Sequence, residues 1–500
     1  MLKRDVLQQI TLGNPVAEFD QGLSNYFLIT DTFNQLVRGN VDMITGGKGT
    51  GKTAIYQYLQ QCKNSHNELR NIQIIAGVNP TGEPLFRRFS EEEKLTEGQY
   101  VTIWKLYFLS LIFNWVIKNH QKPASKNFYQ LESLLSNIGL LSHDGSAGSV
   151  FPRLMGWVRD YARPKSVGMD ITINEFGFPV YSPKVEFGET ETRQKENSNE
   201  VTISHRHAYE LLESVLNDNN LTVWVVMDRL DESFIGRPDI EIPALRALIR
   251  SFMDIIEYPH IRIKLFVRTD LFRKITQGGF VNLTHVNARK TDITWDDEDL
   301  MALICQRIRN NHELLRTLGL GRVHSTRLFS ILFPNKMDPK RGQLTWNWML
   351  TQIRDGSGIK APRNLIDLCI LAQEEQLRKE RRSSSDFEIG FPLIEADSIK
   401  KASVRLSKLR LEDTLLAEYA QDIKVLINAF RNRKAEHNDH SLANLFHVEV
   451  EQARLYARAL VDIGFFESVG DTYKIPFLYR ASLDITQGKA FINNKQTSKK

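Results

Sequence analysis

Residues 46–53 read Gly-Gly-Lys-Gly-Thr-Gly-Lys-Thr. Glycines at this density let a backbone curl around an anion with its N–H groups turned inward, and a helix starting just beyond would add the positive end of its dipole. The two residues that close the run supply what a polyphosphate needs next. The Lys52 ammonium can reach the β- and γ-phosphates, and the Thr53 hydroxyl can ligate Mg²⁺. Gly46, Gly47, Lys48, Gly49, Thr50, Gly51, Lys52 and Thr53 therefore form a complete candidate phosphate loop. Its setting matches, because an apolar strand-like run (41–45) precedes it and a helix-like run beginning Ala54-Ile55-Tyr56 follows. The competing reading is a glycine-rich turn without chemistry.

A second motif weighs against that. Residues 221–232, Leu-Thr-Val-Trp-Val-Val-Met-Asp-Arg-Leu-Asp-Glu, are an apolar strand of the kind buried in a parallel sheet, ending in three carboxylates. Ligands of such sheets bind beyond the carboxyl ends of the strands. Asp228 is then placed to hold Mg²⁺ through water, and Asp231 or Glu232 to orient and deprotonate an attacking water. A solvated turn explains one such acid more easily than three.

These residues need a scaffold, and the chain is long enough for several. At 500 residues it exceeds what one core usually fills, so two to four domains are expected. Its 65 basic and 60 acidic residues give +5, too mild to imply nucleic acid by itself. Cys62, Cys305 and Cys369 lie far apart, with no spacing that suggests a disulfide framework or a zinc site, which points to a reducing cytoplasm. The closest histidine pairs, His205/His207 and His437/His440, read as solvated loop or helix-end residues and not as metal ligands. Residues 1–5, Met-Leu-Lys-Arg-Asp, lead into a polar amphipathic stretch without an apolar core, so no secretory signal is expected. The most apolar segment, 106–117, contains Asn114 and is flanked by Lys105 and Lys118. At about a dozen residues it is too short for the roughly twenty that span a bilayer, and a buried helix is expected with no membrane role.

Parallel strands are predicted at 41–45, 72–78, 222–227 and 261–267, with a weaker fifth at 291–295, separated by helical patterns as crossover connections require. Between the second and third, residues 169–187 alternate around Gly177-Phe178-Pro179 as a β-hairpin, and 189–200 carry no apolar residue. An insertion at about 165–200 on the core follows. Arg268 falls at the tip of the fourth strand, which should lie beside the first, so it can face a γ-phosphate. The alternative is a surface arginine paired with Asp270. Helical periodicity dominates 296–379. Within it, a Gly356-Ser357-Gly358 turn precedes a helix with Arg363 in its first turn, where the helix dipole disfavours a cation unless an anion compensates.

A linker is predicted at 381–386. Beyond it come helices at 415–430, 441–446 and 450–463, then Gly464-Phe465-Phe466, a Gly470-Asp471 turn and residues 472–475, the order of a winged helix. The third helix opens with Glu449 and Glu451, which would repel DNA phosphates. Arg454 and Arg458, one turn apart, could touch a nucleic-acid backbone or simply be solvated.

The motifs resemble the additional-strand P-loop ATPases, specifically the AAA+-related and STAND group, which includes bacterial ATPases with an Asp-x-x-Asp-Glu acidic motif. By motif order the resemblance covers the first 380 residues: 19–36 as an adenine-side segment, 46–53 as Walker A, 225–232 as Walker B, Arg268 as sensor 1 and Arg363 as sensor 2. Arg229 stands where classical AAA+ proteins have glutamate after Asp228, which leaves the base open between Asp231 and Glu232. No arginine finger is evident, with Arg237, Arg246 and Arg273 equally eligible. The resemblance implies an α/β P-loop core (1–295), a helical lid (296–380) and a winged-helix domain with tail (381–500), with ATP and Mg²⁺ as cofactors.

It further implies a regulatory switch ATPase controlling a protein effector or its own assembly in bacterial antiphage defence. No nuclease, TIR or protease signature occurs in the chain. One rival expectation is a DNA-acting ATPase similar to origin-binding initiators or helicase loaders, with DNA a possible but less favoured partner. Another is a scaffold that binds nucleotide without hydrolysis, against which the three carboxylates argue.

Overall fold

The computed structural model describes residues 1–77, 95–119, 125–142, 149–150, 153–154, 171–173, 179–181, 205–230, 232, 238–277, 279–321, 323–340, 342–388, 390–417 and 421–491. The chain forms two compact units. One comprises Asp31–Thr45 and Leu59–Asp292, the other Met1–Thr30, Gly46–Tyr58 and Ile293–Lys500.

The first unit is built on a five-stranded parallel sheet. Its strands are β1 (Met43–Gly46), β2 (Ile72–Ala76), β5 (Thr222–Met227), β6 (Ile261–Arg268) and β7 (Lys290–Asp292), in the order β2-β5-β6-β1-β7. Between β2 and β5 in sequence, β3 (Ile171–Ile173) and β4 (Pro179–Tyr181) pair antiparallel as a separate hairpin. The polar segment expected at 189–200 lies outside the described residues. β6 stands between the strand that runs into residues 46–53 and the strand that ends at Asp228, so the sheet has the additional-strand order of a P-loop NTPase core. The expected neighbourhood of the first and fourth parallel strands is present, with Leu265 N donating to Asp42 O at 2.8 Å.

β1, β5 and β6 are largely buried as their sequences demand, whereas β2 at the sheet edge buries only Ile75, and β6 adds a feature that alternation alone misreads. Lys264 is fully buried, donating to Asp42 Oδ1 at 2.6 Å and Val41 O at 2.8 Å, with Nζ 4.1 Å from the centre of the Trp224 ring. Burial lowers its pKa to about 8, opposed by the Asp42 carboxylate. Asp42 also receives Arg289 Nε at 2.8 Å, so both charges are compensated inside the sheet.

The segment expected to be a short buried helix forms a longer one, Glu97–Asn119, which has the length and apolarity to cross a membrane. Its start is fixed by Thr96 and Gln99, whose side chains each bond the other's backbone N–H, a reciprocal cap. The helix is a core element. Trp104 Nε1 donates to Ala244 O at 2.8 Å, and its buried polar groups are matched: Ser110 and Asn114 both donate to Leu140 O, and Asn114 Oδ1 accepts from Ser142 N.

The second unit is helical around one hydrophobic core that runs from Val6 through helices Asp297–Arg309, Pro362–Arg382 and Ala396–Arg410 to Leu483. The segment predicted as a linker is bonded to its neighbours. Ser385 O accepts from Lys3 N at 3.0 Å, and the buried Glu380 carboxylate accepts from Ser385 N and Oγ, both at 2.9 Å. Its serines therefore act as local bonding partners at the end of the preceding helix.

The winged helix follows as helix Gln421–Asn428, β8 (Lys434–Asn438), helix Asp439–Phe446, helix Val450–Asp462, then β9 (Glu467–Val469) and β10 (Thr472–Lys474) paired as the wing around Gly470. β8 and β11 (Thr486–Lys489) complete a four-stranded sheet, order β11-β8-β10-β9. His437, expected to be solvated, is buried in β8. Its Nε2 bonds Lys434 O at 3.0 Å, and burial lowers its pKa to about 4.

Candidate functional site

Residues 46–53 leave the carboxyl end of β1 and wind into helix Lys52–Cys62. Gly49 and Gly51 have φ of +75° and +105°, the left-handed region that side chains rarely adopt, so the loop's curl depends on them. Lys52 Nζ bridges the loop, donating to Gly46 O at 2.8 Å and Gly47 O at 2.9 Å. Thr50 Oγ1 donates to Gly47 O at 2.9 Å. The ammonium thus rests on two carbonyls of its own loop. Lys48 is exposed, and Thr53 follows Lys52 in the helix's first turn.

Three elements of the same unit hold the loop's outer edge. Trp295 Nε1 donates to Thr50 O at 2.8 Å. A Cβ on Gly47 would stand 2.8 Å from Ile359 Cδ1, and one on Gly49 would stand 3.0 Å from Arg363 Cβ. Arg363 N also donates to Gly49 O at 3.3 Å. Helix Pro362–Arg382 starts here, with Pro362 in the first turn where its missing N–H costs nothing. The structure therefore brings Arg363 to the glycine loop. One turn further along the same helix, Asp367 pairs with Arg410. Burial, and next the charge of Arg363, lower the Arg410 pKa to about 10, so two arginines share this end of the helix. Tyr58, further along the loop's helix, stacks on Phe27 with ring centres 4.0 Å apart and planes 10° apart, placing part of the N-terminal segment against it. Phe19 itself is exposed.

In the sheet unit, Asp228 follows the last residue of β5 and is 8% exposed. The strand exits through Arg229 in the left-handed region (φ +54°), a strain of order 1–3 kcal/mol that turns the chain sharply at the acidic motif. Arg229 then lies 3.6 Å from Glu232 Oε1, Leu230 is buried as the anchor of the turn, and Glu232 is exposed. Asp231 lies outside the described residues, as does Arg237. Arg268 ends β6 with its guanidinium engaged by Asp270 through Nε–Oδ1 at 3.1 Å and Nη2–Oδ2 at 2.9 Å. Burial would raise the Asp270 pKa, but the Arg268 charge and hydrogen bonds hold it below the usual range. That is the surface pairing weighed against a sensor role. Arg246 is likewise engaged, by Glu97 and the Gly279 carbonyl, whereas Arg273 is exposed. At the end of β7, Asp292 bonds Thr45 Oγ1 and Lys290, bonds that outweigh burial and lower its pKa.

Sequence reasoning missed Trp295, Ile359, Asp367 and Arg410. None carries a local signature. Each acts through a contact between segments far apart in the chain.

No known family model matches the chain, and no curated protein matches it. Among solved structures, similarity is found to the ORC2 protein of Aeropyrum pernix in its ADPNP-ADP complexes, at 13% identity over 92% of this chain and 95% of that one, with a TM-score of 0.41. A Walker-type ATPase of Pyrococcus abyssi aligns at 11% identity over 93% and 94%, TM-score 0.37. The ORC1 protein of Aeropyrum pernix in complex with DNA aligns at 10% over 94% and 95%, TM-score 0.35. At such scores the likenesses carry no argument, and the P-loop NTPase fold stands on this chain's own strand order and phosphate loop.

Proposed function

We propose that the chain is an ATP-binding and ATP-hydrolysing switch of the AAA+ type. The observation that carries the reading is the glycine loop itself: left-handed glycines, a lysine held on loop carbonyls and the first turn of a lid helix against its rim. The donor set suits a triphosphate, since the loop offers backbone N–H groups and an ammonium in place of carboxylates. ATP supplies the scissile phosphoanhydride, and Mg²⁺ neutralises charge on the phosphate oxygens.

The residues then divide the work. Residues 46–51 cradle the phosphates through their N–H groups, and Lys52 trades Gly46 O and Gly47 O for phosphate oxygens. Thr53 and Asp228 are assigned to Mg²⁺, and Glu232 or Asp231 to orienting the attacking water and taking its proton. Arg363 answers phosphate from the lid, residues 296–380. Arg268 is assigned to sensing the γ-phosphate, for which it must leave Asp270, so that sensor has an off position built in. In this reading 1–295 are the core and 381–500 the output module, and the protein works in the cytoplasm.

For the output we infer a protein partner or a second copy of the chain. On the third helix of the winged helix, Glu449, Glu451 and Asp462 are exposed against a single exposed arginine, Arg458, and Leu455 is 55% exposed between them. Arg454 is drawn to Asp439 at 2.9 Å, and Asp439 also accepts from the Tyr473 hydroxyl. A face with three carboxylates to one uncommitted arginine repels a phosphate backbone. Control of an effector in antiphage defence is the pathway we favour, on the resemblance of the motifs alone. The second reading, an ATPase acting on DNA, is favoured by the winged helix with its formed hairpin. ATP turnover measured with and without duplex DNA tests both. Turnover unaffected by DNA supports a protein output, stimulation by DNA supports the second reading, and absence of turnover with tight binding reduces the chain to a nucleotide-binding scaffold.

A further inference from the structure

The turn that precedes the lid helix touches two places that the nucleotide reading treats separately. At one end Ile359 Cδ1 fills the space above Gly47, 2.8 Å from where a Cβ would be. At the other, Gly356 N donates to Gly464 O at 2.7 Å, and a Cβ on Gly356 would come within 2.4 Å of Phe466 O, so only glycine fits against the strand leading into the wing. Arg354 clasps Glu467, the first residue of β9, through both carboxylate oxygens at 2.9 and 3.0 Å.

Between these ends the turn is rigid. Asp355 N donates to Ile359 O at 3.1 Å, Ile359 N to Asp355 Oδ1 at 2.9 Å and Gly358 N to Asp355 O at 3.1 Å, closing it on itself. Asn364 Nδ2 of the lid helix donates to the carbonyl oxygen of Ile353, the residue just before the turn, at 3.0 Å. A closed turn of six residues moves as a body, so displacement of Ile359 has to be taken up at Gly356 and Arg354.

We propose that residues 354–359 are a mechanical link through which filling of the glycine loop is felt at the winged-helix hairpin, and through which a partner on the hairpin alters the loop. As regulation of the nucleotide site it rests on the function proposed above, but the link itself has a consequence without nucleotide. By reciprocity, loosening the hairpin end must loosen the glycine loop.

Amide hydrogen exchange on the full chain tests it, comparing wild type with Glu467→Ala and Gly356→Ala, each without nucleotide and with a non-hydrolysable ATP analogue plus Mg²⁺. Without nucleotide, both variants should speed exchange at residues 47–52 at least threefold, with exchange in β5 unchanged as the check that the fold survives. With the analogue, wild type should show slower exchange at 464–469, and the variants should lose that slowing while keeping protection at 47–52. Should Gly356→Ala fail to fold, the surface change Glu467→Ala carries the test alone. Unchanged exchange at 47–52 in nucleotide-free Glu467→Ala overturns the link. Faster exchange there, combined with no protection of the wild-type loop by the analogue, upholds the link and overturns the nucleotide reading instead.

Discussion

Replacing Lys52 with alanine tests the centre of the proposed chemistry, and the structure sets the size of the effect. In the loop as it stands, the ammonium is satisfied by two carbonyls, Gly46 O and Gly47 O. Binding a triphosphate exchanges those ion–dipole bonds for ion–ion ones. At about 4 Å and an effective dielectric of about 20, a pair of unit charges gains about 4 kcal/mol. Giving up two carbonyl bonds at about 1 kcal/mol each leaves about 2 kcal/mol, or about thirtyfold in Kd. Bonds from a charged donor are worth more, about 1.5–3 kcal/mol each, and the further charges on the phosphates offset that difference. The fold should be nearly indifferent, since Lys52 packs in neither hydrophobic core and the glycine φ angles do not depend on it. Titration calorimetry with ATP·Mg²⁺ beside a thermal melt is the assay. Expected are a Kd about thirtyfold weaker and a Tm within about 3 °C of wild type. An unchanged Kd in a folded variant would refute the assignment of the loop to phosphate.

Glu232→Gln should leave nucleotide affinity intact and slow hydrolysis about a hundredfold or more in a single-turnover assay, with Asp228→Asn weakening only the Mg²⁺-dependent part of binding. Normal turnover in Glu232→Gln with loss in Asp231→Asn would move the base to Asp231. Burial raises the Asp355 pKa to about 6. A carboxyl raised on folding contributes stability that is fully present below its unfolded value near 4 and lost as pH climbs through about 6. Relative to wild type, Asp355→Asn, which keeps the acceptor for Ile359 N, should therefore gain stability between pH 4 and 7, by at most about 3 kcal/mol, in denaturant melts across that range. A difference flat with pH would refute it. Finally, the full chain should bind duplex DNA weakly at physiological salt, and Arg454→Ala with Arg458→Ala should change little. Submicromolar affinity lost in that double variant would promote the DNA-acting reading.

What was legible in the sequence divides by the range of the interaction responsible. β5 could be read because five of its six residues are buried and apolar, and Gly49 and Gly51 because a phosphate loop needs its glycines at fixed local spacing. β8 could not. Its buried positions are Ala435 and His437, and a histidine counts as polar in any alternation until a core closes over it. β11 is largely exposed and is held by backbone pairing to β8, which leaves no side-chain trace. The bonding of the linker at 381–386 was not legible for a related reason. Serines that bond the end of a helix and serines in a mobile connection have the same composition, and only the bonds from Ser385 to Glu380 and to Lys3 separate them.

The candidate site follows the same rule, with a consequence for how its motif is understood. Gly47 is explained in sequence terms by close approach of an anion. In the structure it has a second reason to be glycine, because Ile359 occupies the place of its Cβ. The loop proposed to bind phosphate is thus also the rest point of the turn that reaches Gly464 and Glu467. Arg363 has the same double character. Its position in a helix's first turn argues from the dipole alone for an anion nearby, and its backbone N–H is already spent on Gly49 O. Its backbone therefore holds the loop's rim while its Cβ packs against Gly49, so on the proposed link a movement of the glycines would be passed to helix Pro362–Arg382. Motifs record the half of such residues that meets the ligand. The half that transmits the meeting is written in contacts three hundred residues apart in sequence, where no local pattern can carry it.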